Sequence, residues 1–364
     1  MARDAPSRVT LRVNPLPSPT LNVVNRRILT VVVALVPILA FGLLLSAVTV
    51  PFVSLGPGPT YNTLGEVEGK QVVDIEGTKV FPTSGNLNMT TVAQSDGLSM
   101  GEALALWMSG SEQLVPRDLV YPPEKSKDEV DKENTADFKS SEDAAEYAAL
   151  SYLGTYPEAV TVESVTDPGP SAGKLKDGDA IDMVNNTPVA NLDEFTAILK
   201  NTKPGDQLVV DYRRKGGDIG TETITLGDNK DRDYGFLGIG VVDAPWAPFT
   251  IEFNLANIGG PSAGLMFSLA VIDKLTAGDL NGGKFIAGTG TIDPEGKVGP
   301  IGGITHKMEA AADEGATAFL VPAENCAEAL TAHDDDLTLI KVNTLTEAVD
   351  GLKAYSAGGE PPRC

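Results

Sequence analysis

Ile258-Gly-Gly-Pro-Ser-Ala-Gly264 runs directly into Leu265-Met-Phe-Ser-Leu-Ala-Val-Ile-Asp-Lys-Leu275. A Gly/Pro turn followed by a long apolar run predicts a helix whose N-terminal end carries Ser262. Pro261 suits the first helical position, where its missing N–H loses nothing. Ser262, Met266 and Leu269 fall at i, i+4 and i+7, so the serine faces the packed side, and N–H groups at the helix start are free to stabilise an oxyanion. The pattern G-x-S-x-G recurs at Gly169 to Gly173, so the pattern alone decides nothing. That other copy leads only to a short segment before Lys174 and Leu175, and Ser171 reads as a structural turn residue. Around Ser262, a strand-like Phe249 to Leu255 enters and a long helix leaves.

A nucleophilic serine needs a base. The chain has two histidines, His306 and His333, and His333 sits in the acidic, solvated-looking Ala332-His-Asp-Asp-Asp336. Lys307 is the stronger candidate. In the helix predicted from Ile301 to Gly315, Ile304, Met308 and Ala311 mark the apolar stripe, Lys307 lies on its flank, and His306 points elsewhere. A lysine works as a base only when its pKa falls from about 10.4 to near 7, which costs about 4 kcal/mol that burial or neighbouring cations must impose. Ala310 to Ala312 and the glycines at 302 and 303 supply a close, dry wall.

Read in order, Ile258-Gly-Gly-Pro-Ser-Ala-Gly264, Ala287-Gly-Thr-Gly-Thr-Ile-Asp-Pro-Glu-Gly-Lys-Val-Gly-Pro-Ile-Gly-Gly-Ile-Thr-His-Lys307, Ala310 to Ala312 and Phe319-Leu-Val-Pro-Ala-Glu-Asn325 resemble the proteolytic domain of Lon proteases, from near Phe249 to Leu352. The resemblance implies that Ser262 is the nucleophile, Lys307 the general base, and Thr289 a supporting threonine near the lysine. Two departures stand out. Thr291 replaces the glutamate of the family's Thr-Gly-Glu segment, and Gly259 stands where many Lon enzymes have aspartate. Lon enzymes normally carry an ATPase. Here Gly278-Asp-Leu-Asn-Gly-Gly-Lys-Phe285 fits a P-loop only up to Phe285, which replaces the magnesium-holding Ser/Thr, and the segment precedes a strand. No nucleotide and no cofactor are expected, and without a motor the substrates would be extended or locally unfolded polypeptides.

Upstream, Val160 to Leu226 alternates strands and turns around one helix, capped by Asn191, that carries Leu192, Phe195 and Leu199 on one face. Ser171-Ala-Gly-Lys-Leu-Lys-Asp-Gly-Asp179 with the following strand and helix resembles the PDZ family, whose members bind peptide termini by adding a strand to a sheet edge. Gly235-Phe-Leu-Gly238 is a candidate carboxylate loop. Further upstream, Leu87 to Val92 reads as a strand and Met100 to Met108 as a helix behind Ser99. Glu124 to Asn134 reads as a solvated loop, with a helix beginning at a near capping box of Ser140 and Asp143.

The 364 residues carry 28 basic and 50 acidic side chains, a net charge of −22, which excludes generic nucleic-acid binding. Residues 1–27 hold five arginines against Asp4, leaving the remainder at −26. No charge lies between Arg27 and Glu66, and Ile28 to Val50 is a 23-residue apolar run, long enough to cross a bilayer core of roughly 30 Å. The arginines before it place the N-terminus in the cytoplasm and the acidic bulk outside. The expected organisation is an α+β chain: cytoplasmic basic tail 1–27, transmembrane helix 28–50, a stalk (Ser54 to Thr63) and connecting α/β region within 51–155 whose membership of the protease fold stays open, PDZ-like domain 156–228, Lon-like proteolytic domain 229–352 and tail 353–364. The whole resembles bacterial membrane-anchored PDZ-containing Lon-like proteins, with a homo-oligomer left open.

Cys326 and Cys364 are the only cysteines. With His306 and His333 they fit no zinc pattern, so no metal is expected. On the exported side they could form a disulfide, with two free thiols the alternative. Two other functions compete with the serine endopeptidase: a membrane-tethered PDZ scaffold that no longer cuts, and an α/β-hydrolase-type esterase using histidine.

Overall fold

The computed structural model describes residues 21–364 except 111, 257 and 333–335. The basic tail up to residue 20 and His333 therefore lie outside the described residues. Helix α1 (Leu21–Ala47) contains the apolar stretch Ile28–Ala47, none of which is buried. Strand β1 (Phe52–Asn62) follows, then β2 (Val73–Glu76), β3 (Asn86–Ser95), α2 (Met100–Ser109) and β4 (Gln113–Pro116). Helix α3 (Lys127–Leu153) leads into the β-rich unit: β5 (Glu158–Val165), β6 (Ala180–Val184), α4 (Leu192–Lys200), β7 (Gln207–Arg213), β8 (Ile219–Thr225) and β9 (Ile239–Pro245). The chain then forms β10 (Thr250–Phe253), α5 (Gly264–Leu275), β11 (Phe285–Gly288), α6 (Ile304–Asp313), β12 (Ala318–Pro322), β13 (Thr338–Val342) and α7 (Leu345–Ser356).

Two sheets organise these elements into a mixed α+β fold. The larger has the order β13-β12-β11-β3-β1-β4, parallel from β13 through β3 and antiparallel beyond. Its core is built around α5, where Leu265, Met266, Phe267, Leu269, Ala270 and Val271 have no exposed surface. The second sheet, β8-β7-β6-β5-β9, packs Val160, Ile181, Leu208 and Ile224 against Phe195 and Leu199 of α4 in a separate core.

Four expectations need correction. The Gly/Pro-rich run 54–63 is no free stalk: it is β1, paired on both edges. Its prolines sit where the register with β3 shifts between Pro57 and Thr60, so they interrupt little of the ladder. Gly58 is needed there because an added Cβ would lie 2.5 Å from Thr91 Oγ1. The charged segment 124–134 is no loop either. Ser126 and Glu129 form a capping box, with acidic Asp128 and Glu129 in the first turn, and Val130 and Phe138 are the buried anchors of a half otherwise turned to water. Ser140 is therefore interior to α3 rather than its cap. Third, α5 begins at Gly264, not Pro261: Gly290 N–H donates to Ser262 O and Leu265 N–H to Gly290 O, holding Ser262 in the turn before the helix. The β-rich unit also extends past 228, since β9 pairs with β5 as far as Pro245.

Candidate active site

Four separate segments converge on Ser262. The turn ahead of α5 presents the serine, half-buried. Helix α6 presents Lys307, which is 3% exposed, and its Nζ lies 3.0 Å from Ser262 Oγ. Gly303 starts this helix with φ of 69°, in the left-handed region, and an added Cβ there would lie 2.9 Å from Val92 Cγ2, so Gly303 lets α6 approach β3 closely. Strand β3 supplies Thr90, whose carbonyl accepts from Lys307 Nζ at 2.6 Å. The end of β11 supplies Thr289, fully buried, whose Oγ1 lies 3.2 Å from Lys307 Nζ and donates to Ser262 O at 3.1 Å.

Burial alone pushes Lys307 down from its ordinary 10.5 to about 8, because a dry site penalises the charged form. Lys307 Nζ donates to three oxygens, Thr90 O, Ser262 Oγ and Thr289 Oγ1, one for each N–H of the ammonium. Once deprotonated, the amine keeps two N–H donors and has a lone pair for a hydroxyl proton at the third position. Among the described residues, the N–H groups of Ser262 and Ala263 have no partner.

A cleft of about 400 Å³ opens in front of this pair, walled by Tyr61, Met89, Val92, Phe138 and Ile258. Helix α3 shapes its rim. Asn134 O accepts from Gly260 N–H at 2.8 Å, and Ser141 Oγ donates to Pro261 O at 3.0 Å. A Cβ on Gly259 would lie 2.9 Å from Asn134 Cβ. The glycine that departs from the resembled pattern thus fits a helix packed where a side chain would otherwise stand.

The remaining candidates fall elsewhere. His306 is 9% exposed and lines a different cavity with Glu112 and Gln113; its Nε2 has no partner among the described residues. Ser171 is fully buried and donates to Leu237 O at 2.7 Å, a structural contact inside the β-rich unit. Cys326 and Cys364 are bonded, and the tail they tie down pairs Arg363 with Ile340 on the outer edge of β13. Among the described residues, no group of three or more His, Cys, Asp or Glu side chains could hold a metal. Sequence reasoning missed Thr90, Asn134 and Phe138. Phe138 had a usable clue in its i, i+8 spacing from Val130; a carbonyl such as that of Thr90 leaves none.

The chain thus combines two units that are each similar to a known family. Residues 257–352 match the family described as the Lon protease (S16) C-terminal proteolytic domain, and residues 130–225 match the PDZ domain family. Similar curated proteins include an archaeal Lon protease from Halobacterium salinarum, 32% identical over 115 residues (31% of this chain, 16% of that protein), and Lon protease 2 from Bacillus subtilis, 33% identical over 95 residues (26% and 17%). The chain thus spans less than a fifth of the length of these relatives. Among solved structures, the PDZ domain of an SdrC-like protein from Listeria monocytogenes is 27% identical over 23% of this chain and 87% of that one, with a TM-score of 0.22.

Proposed function

We propose that the chain is a membrane-anchored, ATP-independent serine endopeptidase acting at the cell surface on unfolded or extended polypeptides. Lys307 takes the proton from Ser262, Oγ attacks the scissile carbonyl, and the N–H groups of Ser262 and Ala263 receive the developing oxyanion. Collapse of the tetrahedral intermediate leaves an acyl-enzyme on Ser262, with the lysine proton passing to the leaving amine. Water, deprotonated by the neutral Lys307, then attacks the acyl carbonyl, and the Lys307 proton returns to Ser262 Oγ as the acyl–oxygen bond breaks and the acid departs. Thr289 holds Lys307 in register with Ser262. The single observation that carries this reading is the 3.0 Å contact between Ser262 Oγ and a lysine nitrogen buried to 3% exposure.

The β-rich unit selects substrates in this proposal. Strand β9 pairs with β5 on one side only, beside α4, and follows Gly235-Phe-Leu-Gly238. An extended peptide end fits as one more strand on its outer edge. The anchor is α1, with the acidic remainder of the chain outside the membrane.

The test is cleavage of an unfolded protein by the purified full-length chain without nucleotide. Ser262→Ala and Lys307→Ala should each abolish it, while His306→Ala and His333→Ala should cut normally. Activity that survives Lys307→Ala but disappears with His333→Ala sinks the lysine mechanism and favours a histidine-dependent esterase.

A further inference from the structure

Among the described residues, six of the ten large apolar side chains exposed outside α1 lie in one place. Val48, Phe52, Leu104, Trp107, Met108 and Leu119 have exposures between 37% and 76%. All six belong to segments tied to one another where α1 ends. Met100 N–H donates to Val48 O at 2.8 Å, Val50 N–H to Leu98 O at 2.9 Å and Arg117 N–H to Pro51 O at 3.0 Å, while Phe52 pairs with Pro116. Helix α2 also packs on the last turn of α1, since a Cβ on Gly101 would lie 3.3 Å from Leu45 O.

Helix α2 is inverted relative to a helix of a water-soluble surface. Its one buried residue is Ala103, and its bulky residues Leu104, Trp107 and Met108, spaced i, i+3, i+4, face outward. Between Asp96 and Glu112 the sole charged residue is Glu102, whose carboxylate accepts from Ser99 N–H and Oγ–H, both at 2.8 Å. An uncharged apolar stripe with tryptophan at its most exposed part, continuous with a membrane-spanning helix, matches the chemistry of the headgroup region, where indole rings partition.

We propose that α2 lies in the bilayer interface at the end of α1, with Trp107 as its anchor, and fastens the catalytic domain flat against the membrane. This rests on α1 being a span. The partner is a neutral lipid surface: the helix offers no lysine or arginine to anionic headgroups, and the chain as a whole is acidic. Nine residues separate Thr90 in the candidate active site from Ser99 at the start of α2, so the site lies within about 30 Å of the interface. Its substrates would then be polypeptide segments held near the membrane surface.

The chain has two tryptophans, and Trp246 is 5% exposed, so bilayer contact can be read at Trp107. The full-length protein is reconstituted in phosphatidylcholine vesicles carrying bromine at shallow or deep acyl positions. Shallow bromines should quench the fluorescence at least twofold more than deep ones, Trp107→Phe should remove most of that quenching, and Leu104→Ser/Met108→Ser should reduce it at least twofold with Trp107 still present. A Trp107 that acrylamide reaches freely and lipid bromines do not quench overturns the proposal. So does a Trp107 shielded from both, which would place a second copy of the chain on this face. Carbonate extraction separates the two readings: release from the vesicles means that α1 is no anchor, whereas a retained but unquenched protein refutes only the docking of α2.

Discussion

Replacing Lys307 by methionine tests the electrostatics of the site independently of catalysis. The lysine sits at about 8 in the folded chain against an ordinary value of 10.5. Below pH 8 the folded protein therefore holds a buried ammonium, at a cost of about 3 kcal/mol relative to the unfolded chain. The sign follows from the depressed value. The lysine contributes most favourably above pH 10.5, where both states are neutral, and that contribution is lost as the pH falls through 8. Methionine fills similar volume and does not titrate. It forfeits three hydrogen bonds of about 1 kcal/mol each, an offset that varies little with pH. Between pH 7 and pH 10 the wild type should therefore gain about 2.5 kcal/mol over Lys307→Met. Urea unfolding of both full-length chains in detergent, disulfide intact and followed by far-ultraviolet circular dichroism, measures the difference at each pH. A wild-type-minus-variant difference that is flat across this range would refute the depressed lysine and with it the physical basis of the proposed base.

Catalysis should follow the same group: kcat/KM on an unfolded peptide should rise about tenfold per pH unit below 8 and level off above it, and a plateau already reached at pH 6 contradicts lysine as the base. Thr289→Val should lower kcat by one to two orders of magnitude with KM little changed, because it removes the hydroxyl that bridges Lys307 and Ser262 O; Thr289→Ser should restore most of the rate. Phe138→Ala removes a ring that is 5% exposed and packs edge-on to Phe267, so a loss of about 3 to 5 kcal/mol is expected in thermal unfolding of the proteolytic domain. Reducing the Cys326–Cys364 bond, which spans a sequence separation of 38, should cost about 4 kcal/mol in the loop-entropy model, read as a lower unfolding midpoint with dithiothreitol that Cys326→Ser/Cys364→Ser reproduces without it.

What could be read from the sequence divides along physical lines. The meeting of Ser262 and Lys307 was legible in a Gly/Pro turn and in an apolar helix opened by two glycines, whereas Thr289, which joins them, was reached only through the resemblance to Lon proteolytic domains. The strands and helix of the β-rich unit were legible through alternation and the Asn191 cap. Strand β1 was hidden because its prolines and glycines, which ordinarily mark a loop, sit at a bulge where the ladder is already broken. The first half of α3 was hidden because most of its surface faces water, leaving Val130 and Phe138 to carry the apolar signal across two turns. Both halves of α3 matter for the site, the concealed one through Asn134 and the legible one through Ser141. Asn134 and Ser141 hold the turn that carries Ser262 through Gly260 and Pro261, and four to five residues further along the same helix Ala145 O accepts from Ser268 Oγ while Glu146 pairs with Lys215 of the β7–β8 turn at 2.6 Å. One rigid helix thus touches the serine turn, the helix behind it and the PDZ domain within 13 residues. Strand β9 and the Ser262 turn share that element as a common support, so the geometry of the serine turn depends on a segment that lies upstream of the matched proteolytic domain.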